Sequence, residues 1–239
     1  MALPEYLEPF VLPVEPVAPE RRGRVDLYLP VATRPSPAIV FVHGGPLAAD
    51  LRPTARDWPV YRGYASLAAT RGAVGVTVDH RLHDTGDYSL AGSDVAAAVQ
   101  AARDDPRVDA DRIAVWFFSG GGLLLGDWLR EAPEWLRCVA LTYPLLGPLP
   151  GWHVDVGLLP VDAVAMAGAL PIVLTRVGQE RPQVAHTVEA FVAAARTCGA
   201  RLEIVEVPHG RHGFDMLDHT EESRKAVEQA IGRVLAALN

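Results

Sequence analysis

Hydrophobic and polar positions along the chain follow two periods. Residues 24–30 (RVDLYLP) alternate between apolar and polar side chains, which is typical of a half-buried strand. Residues 38–45 (AIVFVHGG) form a β-branched apolar run that ends in glycines, which predicts a strand covered on both faces. Further runs of strand-like composition follow along the chain: 73–81, 112–120, 138–146, 171–178 and 202–208.

Helix-compatible stretches separate these runs. They lie at 61–70, 95–103, 122–132, 161–167, 183–199 and 220–239. Ser93 or Asp94 is predicted to cap the helix of the second stretch. Because strand and helix alternate repeatedly, we expect right-handed crossovers and a mostly parallel central sheet. The predicted fold is therefore α/β, a three-layer α/β/α sandwich.

Length and charge narrow the picture further. With 239 residues, 49% of them hydrophobic, the chain can bury one full-sized core. We therefore assign 1–239 to a single domain, with an N-terminal extension at 1–23. The formal net charge of −7, without a basic patch, argues against nucleic acid or an anionic membrane as a partner.

The compartment is predicted from what the sequence lacks. No apolar run is long enough to cross a bilayer, and residues 1–22 do not have the charge pattern of a signal peptide. Two cysteines, Cys138 and Cys198, have no C-x-x-C spacing, which is typical of free thiols in a reducing compartment. We expect a cytoplasmic protein.

Chemically capable groups follow four of the predicted strands: HGGP at 43–46, SGGG at 119–122, GQER at 178–181 and HGRHGF at 209–214. Ligands of open parallel sheets bind beyond the carboxyl ends of the strands, so these groups are expected to share one edge. Their order along the chain is a glycine pair, a serine, an acid and a histidine.

Three of these motifs, HGG (43–45), WFFSGGG (116–122) and PHGRHGF (208–214), carry a resemblance. In this order they resemble the α/β-hydrolases of the dienelactone-hydrolase and small-esterase type, from about residue 24 onward. The resemblance implies an α/β-hydrolase fold with a nucleophilic serine on a tight strand–turn–helix elbow, followed by the acid and then the histidine.

Ser119 is the predicted nucleophile of this arrangement. Gly121 occupies the second glycine position of the G-x-S-x-G elbow, whereas Phe117 replaces the first glycine. Such a bulky side chain must fit beside a neighbouring strand or helix. If it does not, the serine is an incidental residue of a glycine-rich turn.

The oxyanion hole is predicted from two backbone N–H groups. One belongs to Gly120, directly after the serine. The other comes from the HGGP loop, where Pro46 has no N–H, so Gly44 or Gly45 must donate; we favour Gly45. The resemblance implies a structural role for His43.

The base and the acid each have alternatives. The resemblance places the catalytic histidine shortly before a phenylalanine, which fits His212 better than His209. It places the acid at Glu180, where aspartate is the usual residue. The competing interpretation is that Glu180 pairs with Arg181 at the surface, and Asp215 and Asp218 are the reserve acids.

Other polar groups have simpler interpretations. By the resemblance, Arg81 braces loops. A metal site from His80, His83 and Asp84 lacks the support of an H-E-x-x-H motif or a cysteine cluster, so we expect neither a metal nor a cofactor.

The expected function is a serine esterase that cleaves a small or medium ester, lactone or thioester through an acyl-enzyme. Residues 147–168 form a short lid-like insertion, and Leu47 and Trp152 are the predicted substrate-binding residues, with Leu149 and Leu158 beside them. Loop packing explains these apolar side chains equally well.

Two alternatives stay open at this point. One is a catalytically silent α/β-hydrolase fold that binds a ligand or partner, and the other is lactone opening, cyclisation or another non-hydrolytic step. The expected partner is a small-molecule ester, and the sequence leaves open whether the chain forms a homodimer.

Overall fold

A computed structural model of the chain describes residues 4–157 and 159–239. It contains an eight-stranded sheet in the order β1-β2-β4-β3-β5-β6-β7-β8. The strands are β1 Glu20–Arg22, β2 Val25–Tyr28, β3 Ser36–Val42, β4 Val74–Val78, β5 Val108–Phe118, β6 Leu136–Thr142, β7 Ile172–Gln179 and β8 Leu202–Arg211. The pairs β1–β2 and β2–β4 are antiparallel, and all other pairs are parallel.

Helices cover both faces of this sheet. They are α1 Pro59–Thr70, α2 Tyr88–Arg103, α3 Leu125–Arg130, α4 Pro160–Ala163, α5 Pro182–Cys198, α6 Phe214–Leu217 and α7 Glu221–Ala237. A short 3₁₀ turn, Ala55–Asp57, precedes α1, and a second one, Ser119–Leu124, precedes α3. In the described residues, no helix has both the length and the hydrophobicity needed to cross a bilayer.

The central strand β5 shows why the core lies on both faces. Val115 and Phe117 pack into the cluster under α2, α3 and α5, whereas Trp116 and Phe118 pack into the cluster under α1 and α7. Alternate residues of a strand point to opposite faces, so a run without polar positions requires apolar cover on both sides. The continuous apolar runs in the sequence predicted this arrangement.

The structure differs from three local predictions. Strand β2 is buried along its whole length, including Asp26, rather than half-buried. Helix α2 begins at Tyr88, so Ser93 and Asp94 lie within it and do not cap it. Part of the predicted N-terminal extension joins the sheet as β1. In each case tertiary contacts outweighed the local pattern, since Asp94, for example, binds the Arg81 guanidinium.

The segment before β1 packs on the helix α1 face. The Phe10 ring lies 4.8 Å from the Tyr64 ring, in space that Gly63 leaves open, because a Cβ there would collide with Phe10. The Val11 N–H donates to the carbonyl of Asp215, at a distance of 2.9 Å. The N-terminal segment thus holds the short helix α6 against α1.

Candidate active site

Ser119 lies at the turn between β5 and the 3₁₀ segment before α3. Its φ of +48° is a left-handed conformation, one that a residue with a side chain adopts only under local constraint. The turn needs glycine after the serine: a Cβ at Gly120 would collide with the Gly45 carbonyl oxygen, and one at Gly121 would lie 2.6 Å from the His43 carbonyl oxygen. The chain therefore forms a tight elbow whose glycines allow the HGGP loop to approach.

Phe117 does not prevent this elbow. Its side chain is fully buried on the sheet face that carries α2, α3 and α5, and its neighbours in the sheet are Val42 and Leu141. The residue that replaces the usual glycine therefore packs into the core instead of crowding the serine.

Three side chains form one continuous row at the elbow. The Ser119 Oγ lies 2.7 Å from His212 Nε2, and His212 Nδ1 lies 2.6 Å from Glu180 Oε2. A carboxylate can only accept, so Nδ1 carries the proton and Nε2 accepts from the serine hydroxyl. This arrangement can move a proton from the serine to the imidazole.

Glu180 contacts both His212 and Arg181, but it is not the surface pair of the competing interpretation. Its Oε1 accepts the Arg181 backbone N–H at 2.7 Å, while its Oε2 holds His212. The carboxylate is only 4% exposed, so it is not a surface group. Burial beside one imidazole strengthens the electrostatic contact, because water screens it little.

The other candidate acids and base bind elsewhere. Asp218 accepts from the Arg211 side chain at 2.7 Å, and Asp215 lies buried against two tyrosines. His209 is 82% exposed and contacts Glu222 at 3.2 Å. Of these groups, none bonds to the Ser119 hydroxyl in the described part of the chain.

The HGGP loop contributes its backbone to the same site. The Gly44 N–H donates to the Tyr61 hydroxyl at 3.3 Å, which leaves it occupied. The Gly45 N–H donates to no group within residues 4–157 and 159–239, and its backbone abuts Gly120. A Cβ at Gly44 would lie 2.8 Å from the Ser119 Cβ, so glycine allows close approach here. These contacts favour Gly45 and Gly120 as the paired donors.

His43 and His80 form a stacked pair beneath this loop, with ring centroids 3.6 Å apart. His43 Nδ1 donates to the Gly44 carbonyl at 2.5 Å, and His80 Nε2 donates to the His43 carbonyl at 2.9 Å. Burial lowers the pKa of His43 to about 4, and burial also lowers the pKa of His80 well below its ordinary value. Both rings therefore stay neutral and support the loop.

The remaining predicted residues, Leu47 and Trp152, pack on opposite faces of the core. Leu47 is half-buried against the core face under α1, and its N–H donates to the Leu82 carbonyl at 2.9 Å. Trp152 is half-buried against the opposite face of the core. The lid-like insertion is tied to α2 through Asp155, which accepts from the Ser89 N–H at 3.2 Å. Leu158 lies outside the described residues.

Arg81 and His83 are occupied by loop contacts. Arg81 makes a two-pronged pair with Asp94, at 2.8 and 2.6 Å, which fits the predicted bracing role. His83 Nδ1 donates to the Leu47 carbonyl at 2.9 Å. With the His80 contact to a backbone carbonyl, two of the three residues considered for a metal serve the loop backbone.

Sequence reasoning missed Tyr143. This residue directly follows β6, has a φ of +37° and places its ring 4.8 Å from the His212 ring. The available signal was its position, since it lies at the carboxyl end of a predicted parallel strand like the four motifs. No motif of the resemblance includes Tyr143, so nothing in the local sequence singles it out.

The chain is similar in structure to known esterases. No family model matches the sequence, and no curated protein matches it. EstE1, a thermophilic and thermostable carboxylesterase cloned from a metagenomic library, superposes with a TM-score of 0.73 at 19% identity, over 96% of this chain and 92% of the other. Thermogutta terrifontis esterase 2 phosphorylated by paraoxon gives 0.68 at 19% identity, over 89% and 88%. The butyrate-bound form of that esterase gives 0.67. The predicted fold is thereby confirmed.

Proposed function

We propose that this chain, which has the α/β-hydrolase fold, is a serine esterase that cleaves small or medium carboxylic esters through an acyl-enzyme. The observation that carries the proposal is the row Ser119–His212–Glu180, with hydrogen-bond distances of 2.7 and 2.6 Å. In the proposal, residues 1–239 act as one cytoplasmic domain without a cofactor, and the substrate is a small molecule of the kind that dienelactone-hydrolase-like esterases cleave.

Acylation begins with proton transfer. His212 Nε2 takes the hydroxyl proton while the Ser119 Oγ bonds to the ester carbonyl carbon. The carbonyl oxygen becomes an oxyanion, which accepts from the Gly45 and Gly120 N–H groups. The carbon–oxygen bond to the alcohol then breaks, and His212 returns the proton to the leaving alcohol.

Deacylation repeats the cycle with water. His212 Nε2 takes a proton from the attacking water, and the tetrahedral adduct releases the acid as the proton returns to Ser119. Glu180 keeps the imidazole in the required tautomer throughout and stabilises its positive charge. Because Glu180 is 4% exposed, its charge acts on the imidazole through little intervening water.

Two features support a small substrate. The insertion at 147–168 is short, and its described part packs on the core instead of forming a separate layer. Leu47 and Trp152 are half-buried on opposite faces of the core, and in the proposal they contact an apolar acyl or alcohol group of limited size. The structure of T. terrifontis esterase 2 with butyrate bound is consistent with a short acyl group.

Paraoxon labelling tests the proposal. We expect paraoxon to phosphorylate the intact protein at Ser119 and to abolish hydrolysis of p-nitrophenyl butyrate. Ser119→Ala should lose both labelling and hydrolysis, while the control Ser93→Ala, on the exposed surface of α2, should keep both. Labelling that survives Ser119→Ala, or an intact protein that neither labels nor hydrolyses esters, contradicts the proposal.

A further inference from the structure

A second carboxyl group, Asp215, lies close behind the proposed base. It follows His212 by three residues, in helix α6, and is fully buried. Its Oδ1 accepts the Tyr143 hydroxyl at 2.8 Å, and its Oδ2 accepts the Tyr64 hydroxyl at 3.1 Å. Both tyrosines are themselves buried, so the cluster is closed to solvent.

Tyr143 connects this cluster to the imidazole. Its hydroxyl is held by Asp215, and its backbone N–H donates to the Thr175 carbonyl at 3.0 Å. Its ring lies against the His212 ring, with centroids 4.8 Å apart and planes tilted by 52°. Because both ends of Tyr143 are fixed, its ring provides a rigid wall for the imidazole.

The cluster also places charge near His212. Burial raises the pKa of Asp215 to about 6, while the hydroxyls of Tyr143 and Tyr64 and the charge of His212 lower it. Asp215 is therefore mainly a carboxylate at neutral pH. The other titratable groups that face it are Tyr61, Tyr64 and Tyr143, and burial raises the pKa of each, so they stay neutral.

Asp215 is a buried carboxyl group whose two hydroxyl partners differ in what else they contact: Tyr143 lies against His212, and Tyr64 lies in α1. Burying a carboxylate is costly unless hydrogen-bond donors converge on it. At Asp215, two hydroxyls converge on a charge beside the imidazole.

We propose that Asp215 is a positioning residue for His212, which it supports through the Tyr143 ring and through the negative charge of its buried carboxylate. The inference rests on the proposed function, in which His212 becomes an imidazolium during acylation. Glu180 stabilises that charge directly at Nδ1, and Asp215 stabilises it through the ring of Tyr143. The two carboxylates therefore act on one imidazole from different sides.

The first test is the pH dependence of ester hydrolysis by Asp215→Asn. We expect kcat/KM to fall roughly tenfold at about pH 8 with KM nearly unchanged, as is usual for groups that orient a reacting residue. The loss should shrink below about pH 6, where Asp215 of the wild type is itself protonated. A loss that is the same at all pH values indicates a structural role and overturns the proposal.

Matched variants separate positioning from folding. Tyr143→Phe and Tyr64→Phe each remove one hydroxyl from the same carboxylate, but only Tyr143 touches His212. We expect Tyr143→Phe to lower kcat more than Tyr64→Phe, by about threefold. Asp26→Asn, which neutralises a buried carboxyl remote from the site on β2, should leave the pH profile unchanged. Equal losses in both tyrosine variants contradict the inference.

A third measurement does not depend on activity. Charge coupling is reciprocal, so if Asp215 stabilises the imidazolium, the imidazolium must also favour the carboxylate. Replacing His212 by Gln should raise the pKa of Asp215, measured from its carboxyl ¹³C signal, whereas His209→Gln should not change it. An unchanged pKa of Asp215 in His212→Gln overturns the inference even where Ser119 labels with paraoxon. If paraoxon does not label the wild type but His212→Gln still raises the pKa of Asp215, only the esterase proposal is overturned.

Discussion

Two pairs of side chains follow strands of the sheet, and their imidazoles have different partners: His43 stacks on His80, whereas His212 bonds to Glu180. His43 and His80 follow β3 and β4, are buried face to face and donate to backbone carbonyls. His212 follows β8, is 25% exposed, and has a carboxylate on one nitrogen and a hydroxyl on the other. The first pair holds a loop in place, and the second is arranged to move a proton.

The difference shows what makes a histidine useful for proton transfer. Burial without an acidic partner disfavours the imidazolium, as the lowered pKa values of His43 and His80 show. A carboxylate at Nδ1 stabilises the imidazolium, and partial exposure leaves room for a substrate at Nε2.

The largest expected effect comes from removing the reactive imidazole. His212→Ala should lower kcat for p-nitrophenyl butyrate by about 10⁵-fold, because the serine loses its base. His209→Ala, near the end of β8 and bonded to Glu222, should keep wild-type activity. Steady-state kinetics of both variants check this, and a reversed order would transfer the base assignment to His209.

The carboxylate of the reactive pair should rank second. Glu180→Gln keeps the shape of the side chain but removes its charge, so we expect kcat to fall by roughly 10³- to 10⁴-fold. Glu180→Asp should recover part of this loss, since the charge is restored about 1.5 Å further from the ring. If the two variants have equal activity, the charge of Glu180 does not matter and the assignment is wrong.

The third largest effect is expected from a change at Gly120, where the serine elbow meets the HGGP loop. Gly120→Ala introduces a Cβ that collides with the Gly45 carbonyl, so the two predicted donors must separate. We expect a loss of about 10²- to 10³-fold in kcat, comparable to removing one oxyanion donor. The control is Gly232→Ala in α7, where a Cβ meets nothing within 4 Å. That variant should keep full activity and gain about 0.5–1 kcal/mol of stability.

The smallest expected effect is a loss of folding stability at acidic pH, which comes from His43 of the structural pair. Folded His43 has a pKa of about 4, against 6.5 for the ordinary group, so between these values only the unfolded chain takes up the proton. Stability that is fully present above pH 6.5 is therefore lost as the pH falls, by up to about 3 kcal/mol for this one group. Asp215 acts in the opposite direction, since its raised pKa favours the folded state as the pH falls below about 6.

Urea denaturation isolates the share of His43. The free energy of unfolding of His43→Gln should fall less steeply than that of the wild type between about pH 7 and about pH 4.5. Ser93→Ala, at an exposed position and without a change of titratable group, should keep the wild-type slope. Parallel slopes for His43→Gln and the wild type would show that the buried pair does not titrate on unfolding.

Much of the fold was predictable because its signals are local. The apolar runs of β3 and β5 require cover on both faces, and their alternation with helices predicts a parallel sheet. The start of α2 was not predictable from composition, because Asp94 is held inside the helix by Arg81. An aspartate fits both a helix cap and an ion pair with arginine, and only the fold shows which of the two roles Asp94 has.

The candidate site divides in the same way. Ser119, Glu180 and His212 were predicted from motifs, and the structure brings them within hydrogen-bond distance. The missing N–H of Pro46 leaves Gly44 or Gly45 as the donor of this loop, and the structure favours Gly45 because the Gly44 N–H is bonded to the Tyr61 hydroxyl. The roles of these residues stay predictions until the variants are measured.

The sequence by itself determined the alternation of elements and the order of the motifs, because side-chain periodicity and glycine positions are properties of neighbouring residues. Only the tertiary structure decided which groups meet. Ser119 and His212 are 93 residues apart, and their contact depends on the order in which the strands pair. The same order brings Tyr143 and Asp215, 72 residues apart, together behind the imidazole, where no local pattern places them.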